Sequence, residues 1–455
     1  MSSPSPVRRD AFASTLGAFA ATVGSAIGLG NIWKFPYLTG SNGGAAFVLA
    51  YLAAIAVVAL PVMVVEHAIG RRMRLDAVRA YGRVVPGQPG WALIGWGGLA
   101  SAVLIMAFYT DVAGWVFAYV VEAFAAALGG APLDSGTFSR LATGTWEPLG
   151  WQAVVLAVTT AIVAAGVSNG IEKVTKTLMP LLFALLVVCD VRALTLPGAL
   201  EGVAYLFQPD LSKLTGAVLL SALGLAFFKL SLGMGTMTTY GSYLPERTRI
   251  VPNAARVALA DTVVSLLAGL AIFPAVFAFG GTPAGGPGLL FNTIPLVFGR
   301  MPGGGVFTAL FFLLAAIATI GAMVSLMEVP VAWLVERGRF RRTAAAILTG
   351  AAMFALGVLA TLSQSPVLDG VRPFGLTFFD LFDFLSSNVL LPVGGLAIAV
   401  IGGWLLPRQA FLAELARGHG APPWHARPLR WLVRFVAPVL IALILLNGLG
   451  VIRLG

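Results

Sequence analysis

Cysteine and histidine are almost missing from this chain, with one Cys and three His among 455 residues. That scarcity excludes a disulfide framework and a transition-metal site built from thiolates and imidazoles. Cys189 lies in an apolar run and reads as a small buried hydrophobe. Charge is scarce too: Asp, Glu, Lys and Arg make up 11% of the residues against 58% hydrophobic, and the mean hydropathy is +0.91. A soluble domain carries about 25% charged residues, so the chain is an integral membrane protein. Its net charge of +10 comes from short basic blocks between apolar runs, the pattern of membrane topology rather than of nucleic-acid binding. No nucleic-acid partner is expected. An enzyme would need a nucleophile–base pair or a metal centre, and the residues to build one are lacking. The opening "MSSPSPVRRD" is polar, and the apolar run behind it is too long for a cleavable signal.

What is present is a series of long apolar runs. About 20 apolar residues cross the roughly 30 Å hydrocarbon layer. Eleven runs qualify, near 12–39, 42–70, 91–127, 150–166, 171–195, 213–243, 253–280, 304–338, 343–363, 377–406 and 430–452. The expected fold is an all-α multi-pass membrane protein. Basic residues cluster at Arg8 and Arg9, at Arg71, Arg72 and Arg74, at Arg247 and Arg249, at Arg337, Arg339, Arg341 and Arg342, and at Arg417, Arg427 and Arg430. These segments share one side, read as cytoplasmic. The N-terminus is therefore expected in the cytoplasm and, after eleven crossings, the C-terminus outside, in an inner membrane of bacterial type.

Two runs are interrupted by glycine. Span one carries "GSAIGLGN" (24–31) and span six "SLGMG" (231–235). They lie five spans apart, so they run in opposite senses, as matching elements of two inverted repeats do. A broken helix exposes unpaired N–H groups at one half, suited to a carboxylate, and unpaired carbonyls at the other, suited to a cation. The expected division is a tail (1–11), a first repeat of spans one to five (12–195), a second of spans six to ten (196–406), and a cytoplasmic linker with span eleven (407–455).

Six stretches then carry a resemblance. They are "GSAIGLGNIWKFPYLTGSNGGAAFVLAY" (24–51), "FYTDVAGW" (108–115), "SNGIEKVTKTLMP" (168–180), "FFKLSLGMGTMTTYGSYLP" (227–245), "SLMEVPVAWL" (325–334) and "FFDLFDF" (378–384). In this order they resemble the neurotransmitter:sodium symporter family, in its bacterial amino-acid transporter branch. The resemblance implies an alternating-access carrier with an amino-acid site near the midplane and two sodium sites. It implies that Tyr109, Ala26, Gly28 and the freed N–H groups of span one hold the substrate carboxylate. Gly28 stands where monoamine carriers have an aspartate, which favours a substrate bringing its own carboxylate. Ile105, Phe228, Ser231, Met234, Ala322 and Leu326 would line the side-chain pocket, which suits a neutral, large apolar or aromatic amino acid. Lys34 and Asp383 resemble the outer gate, above a lid of Phe228 and Tyr109. Arg9 and Glu336 resemble the inner gate, with Tyr243 nearby. Gly170 and Pro180 bracket the part of span five that unwinds in the family.

The sequence departs from the family at both ion sites. The first site would use Asn31, a Ser or Thr where this chain has Lys229, and an Asn or Asp at Asp261. The second would use carbonyls of Gly24, Ile27 and Ala318 and two hydroxyls where this chain has Gly321 and Ala322; Thr319 lies on another face. Ala26, Gly24, Ile27, Asn31, Lys229, Asp261, Ala318, Gly321 and Ala322 are thus the ion-site positions. An ammonium and a metal ion repel each other in one small site. Sodium, expected from the resemblance, is therefore set against a transport that is sodium-independent or linked to protons, with the latter favoured. Ionisable residues inside spans mark such couplings, and Lys229, Asp261, Asp111 and Asp190 are the candidate proton carriers; Glu66 reads as structural. Ser265 matches a chloride-binding serine of animal members, but Asp261 already supplies negative charge, so no chloride requirement and no cofactor are expected. Ordinary sodium symport and a non-transporting amino-acid sensor on the same fold remain the alternatives. The sequence leaves the oligomeric state open.

Overall fold

In lipid a backbone has no water to bond, so each apolar run closes its own hydrogen bonds as a helix. The computed structural model describes residues 10–129, 133, 136–283, 288–338, 340–418, 420 and 423–452, and among these there is no strand. Nine helices long and apolar enough to cross a membrane run over Ala45–Met73, Pro89–Gly129, Trp146–Ala164, Val167–Leu194, Ile250–Ala278, Gly304–Glu336, Arg342–Leu362, Phe378–Leu405 and Ala426–Gly448 among the described residues. They are spans two to five and seven to eleven, with ends within a few residues of the sequence expectation. Span one is a bent pair, Thr15–Ala26 and Gly30–Ser41, that turns by 49° at the break. Span six is Gly216–Lys229 followed by Thr236–Tyr243, each piece too short to cross alone.

The breaks form where the sequence places them. In span one Ile27 is extended and its N–H makes the last helical bond, to Val23. In span six Ser231, Gly233 and Gly235 all take positive φ, +54°, +78° and +77°. Glycine adopts this region freely; Ser231 is held there against a modest cost. Glu66 of span two braces the turn by accepting from Gly233 N at 2.8 Å and from Thr238 Oγ1 at 3.2 Å, consistent with its structural reading.

Spans one, three, six and eight meet around the two breaks. The short helices Ala77–Val84, Ala199–Phe207, Leu289–Gly299 and Arg408–Ala416 pack over the ends of the bundle. The last of these docks through the fully buried Arg71, which pairs with Glu414 and donates to the carbonyl of Thr248.

Candidate functional site

The two breaks enclose one small cavity, of about 30 Å³. Its lining includes Ala26, Gly28, Ile105, Tyr109, Phe228, Ser231, Met234, Ala322 and Leu326, every substrate position expected from sequence, and adds Ser25, Gly30 and Lys229. A volume of this size is about that of one water, so an amino acid must part the walls to enter. Tyr109, from span three, accepts from Leu29 N at 2.9 Å. The tyrosine hydroxyl thus meets the backbone at the break of span one, the point where the sequence reading expects a substrate carboxylate. Gly28 keeps that point open, since a Cβ there would lie 2.9 Å from the Ala322 methyl and 3.0 Å from the Tyr109 hydroxyl. Ser25, missed in the sequence, joins the breaks: its hydroxyl lies 2.9 Å from Ser325 Oγ, and its carbonyl accepts from Ser231 Oγ at 3.0 Å.

Lys229 ends the first half of span six, and its side chain turns away from lipid into a fully buried polar cluster. Its Nζ lies 3.1 Å from Asp261 Oδ2 and 2.7 Å from the Tyr51 hydroxyl, and it bonds Ser265 Oγ. An ammonium has three donors, and these three oxygens satisfy them. Tyr51 donates in turn to Asp261 Oδ2 at 2.6 Å. Asn31 Nδ2 donates to Asp261 Oδ1 at 2.8 Å, while Asn31 Oδ1 accepts from Gly28 N at 3.1 Å. The Phe35 and Tyr51 rings lie 5.0 and 4.6 Å from the ammonium, close enough for cation–π attraction. Gly30 makes room for the lysine stem, because a Cβ there would sit 3.0 Å from Lys229 Cγ. Asn31, Lys229 and Asp261 are therefore brought together around the ammonium.

The second group of ion-site positions is packed differently. Spans one and eight touch backbone to backbone: a Cβ on Gly321 would lie 2.6 Å from the Gly24 carbonyl oxygen. Ala318 and Ala322 bring no side-chain oxygen, and Thr319 donates within its own helix to Ala315 O at 2.7 Å. Ile27 lies at the break of span one.

Outward of the cavity, Lys34 Nζ stands 3.7 Å from Asp383 Oδ1 and 4.0 Å from the centre of the Phe228 ring. Lys34 thus lies against both Asp383 and Phe228. A wider chamber of about 470 Å³, lined by Trp33, Trp115, Phe291, Arg372 and Asp380 among others, lies above them.

Arg9 lies outside the described residues. Glu336 pairs with Arg79 and accepts from Asp76 N at 2.9 Å. Tyr243 donates to Glu328 Oε1 at 2.7 Å. Glu328 pairs with Arg342, which also reaches Asp10 at 2.9 Å. Glu328 was hidden in the sequence by its position inside an apolar helix, and its partner Arg342 by its membership of a basic block. Nearby, Glu172 accepts from Ala13 N at 2.7 Å and Ser14 Oγ at 3.0 Å, tying the start of span one to the Val167–Glu172 turn that contains Gly170. Among the proton-carrier candidates, Asp111 and Asp190 are buried; Asp190 has no hydrogen-bond partner among the described residues, and Asp111 lies beside Trp115 and Thr361.

The model of the sodium:neurotransmitter symporter family matches residues 9–134 and 142–453. The chain belongs to this family. An uncharacterised sodium-dependent transporter of Bacillus subtilis is 39% identical over 454 residues, spanning 99% of this chain and 100% of its own length. Another, of Haemophilus influenzae, is 34% identical over 455 residues, 97% of this chain and 98% of its own. The crystal structure of MhsT in complex with L-phenylalanine aligns with a TM-score of 0.88 at 42% identity, covering 97% of this chain and 100% of that one. As a member of the symporter family the protein is a multi-pass membrane transporter and not an enzyme, with broken helices in spans one and six of two inverted repeats.

Proposed function

We propose that this transporter carries a neutral amino acid with a large apolar or aromatic side chain by alternating access, and that Lys229 stands in for the sodium ion of the first site. The observation that carries this reading is the ammonium of Lys229 seated among Asp261, Tyr51 and Ser265. A second unit charge 4 Å from it would cost about 4 kcal/mol at an effective dielectric constant near 20. The second site offers no side-chain hydroxyl at Gly321 or Ala322. Transport therefore runs without sodium, as proton-linked uptake or as exchange, with Asp111, Asp190 and the Lys229–Asp261 pair as proton carriers. Asp261 supplies the fixed negative charge, so chloride is not required.

The substrate class is supported by the lining of Ile105, Phe228, Met234 and Leu326 and by the phenylalanine bound in the MhsT complex. Lys34 with Asp383 forms the outer gate, and Glu336 with Arg9 and Tyr243 belongs to the inner one. The distribution of basic segments supports an N-terminus in the cytoplasm of a bacterial-type inner membrane and a C-terminus outside.

A thermal-shift screen of the purified protein against the common amino acids, in sodium and in choline, tests both parts. Stabilisation by large neutral amino acids, equal in the two salts, is expected. Stabilisation confined to sodium would instead support the coupling suggested by the relatives described as sodium-dependent. Saturable counterflow of the stabilising amino acid in proteoliposomes separates a carrier from a sensor.

A further inference from the structure

From Pro407 to the C-terminus there is a single acidic residue, Glu414, against arginines at 408, 417, 427, 430, 434 and 453. Glu414 is engaged by Arg71 and Arg417. Arg430 and Arg434 have no carboxylate partner among the described residues, yet both sit one turn apart against the end of span ten. Spans ten and eleven hold them there. Gly403 lets span ten press onto Arg434, whose Cα would lie 2.7 Å from a Cβ at that glycine, and Trp404 Nε1 donates to Arg434 O at 3.0 Å. The Arg434 guanidinium stacks over Trp404 at 4.1 Å. Arg430 caps the end of span ten by donating through Nη2 to Leu406 O at 2.9 Å and Gly403 O at 3.3 Å.

Capping explains one nitrogen of Arg430 and leaves the rest. Arg430 Nη1 and Arg434 Nε are withdrawn from solvent and have no hydrogen-bond partner. Clustered like charges with unmet donors are stabilised by an anion, and a guanidinium fits the oxygens of a phosphate best. The surroundings point to its source. Trp404 is 52% exposed, Trp431 56% and Phe435 45%, at the very ends of two spans, where amphipathic rings settle at headgroup depth. A soluble anion would find this rim covered by lipid.

We propose that Arg430 and Arg434, with Trp404, form a binding site for the phosphate headgroup of an anionic phospholipid at the basic end of spans ten and eleven. The site is separate from the substrate cavity, and the inference does not depend on how transport is coupled.

Native mass spectrometry of the full chain, released from micelles doped with phosphatidylglycerol or phosphatidylcholine, tests it. Wild-type protein is expected to retain phosphatidylglycerol and not phosphatidylcholine. One arginine at a membrane surface strengthens anionic-lipid binding by about fivefold, so Arg430→Gln/Arg434→Gln should lower retention by roughly 25-fold. Arg83→Gln, the same kind of charge change on another basic segment, should leave retention unchanged. Equal retention of the two lipids by wild type would overturn the proposal, as would unchanged retention in the double variant. Should the double variant not fold, Arg434→Lys replaces it, with a partial loss expected and no loss contradicting the proposal. Millimolar inorganic phosphate displacing the lipid completely would also overturn it, in favour of a free-anion site.

Discussion

Lys229 and Asp261 face each other across 3.1 Å, and solvent reaches neither side chain. Breaking one side of such a pair strands a charge, which costs about 3–5 kcal/mol. Lys229→Ser removes the cation and leaves a hydroxyl of the kind the family uses at that position. The variant is expected to lose sodium-free uptake at least tenfold and to unfold at lower temperature in choline, with part of the loss in melting temperature recovered in sodium. Thermal melts in the two salts, beside uptake, check this. A variant that keeps its uptake and ignores sodium would mean that the lysine is not a substitute ion.

The pair also acts as a unit. Asp261→Asn leaves the ammonium with Tyr51 and Ser265 alone and should destabilise by a similar amount, about 3 kcal/mol. With Lys229→Met as the other single variant, the double variant Lys229→Met/Asp261→Asn should cost less than the sum of its parts by at least about 1 kcal/mol. Denaturation midpoints of the four proteins of this cycle read that coupling, and strict additivity would argue against a functional pair.

Gly321 makes a different prediction. Its missing Cβ would stand 2.6 Å from the Gly24 carbonyl oxygen, below any contact a real Cβ makes. Gly321→Ala should therefore lower stability by about 1–3 kcal/mol through overpacking, and Gly321→Thr by at least as much, without creating sodium dependence. A Gly321→Thr protein that is stable and newly stimulated by sodium would show that spans one and eight part more readily than their packing indicates.

Lys34 and Asp383 are partly exposed and 3.7 Å apart, so the pair contributes little to stability, under about 1 kcal/mol. Its effect belongs to transport. Asp383→Asn should leave the melting temperature nearly unchanged while slowing uptake several-fold and speeding substrate release to the outside. Dissociation of labelled amino acid from reconstituted protein measures this, and wild-type kinetics would remove the pair from the gate.

Much of this was legible in the sequence, for physical reasons. Span ends are set by apolar run length, and the two breaks by glycines at 24–31 and 231–235, where no uninterrupted helix persists. All nine expected substrate positions line one cavity; seven lie in the quoted stretches, and Ile105 and Ala322 stand one turn before Tyr109 and Leu326 on the same helices. Other features were not legible. Tyr51 lies in an apolar run, and nothing local shows that its hydroxyl meets Lys229 from a site 178 residues away. Ser25 and Ser325 look like small packing residues until the breaks bring them together. Glu328 lies inside the quoted stretch 325–334, and nothing local shows that it meets Arg342 and Tyr243. The short helices Ala199–Phe207 and Leu289–Gly299 escaped because they are not long apolar runs.

The central claim is that a protein lysine occupies the place of the family's ion. It is tested most directly by uptake of labelled L-phenylalanine, or of whichever amino acid the thermal screen selects, into proteoliposomes with sodium wholly replaced by choline, at equal pH and across an inward proton gradient. The account predicts saturable uptake at the same rate in sodium and in choline. Uptake that vanishes in choline and returns with sodium would contradict it.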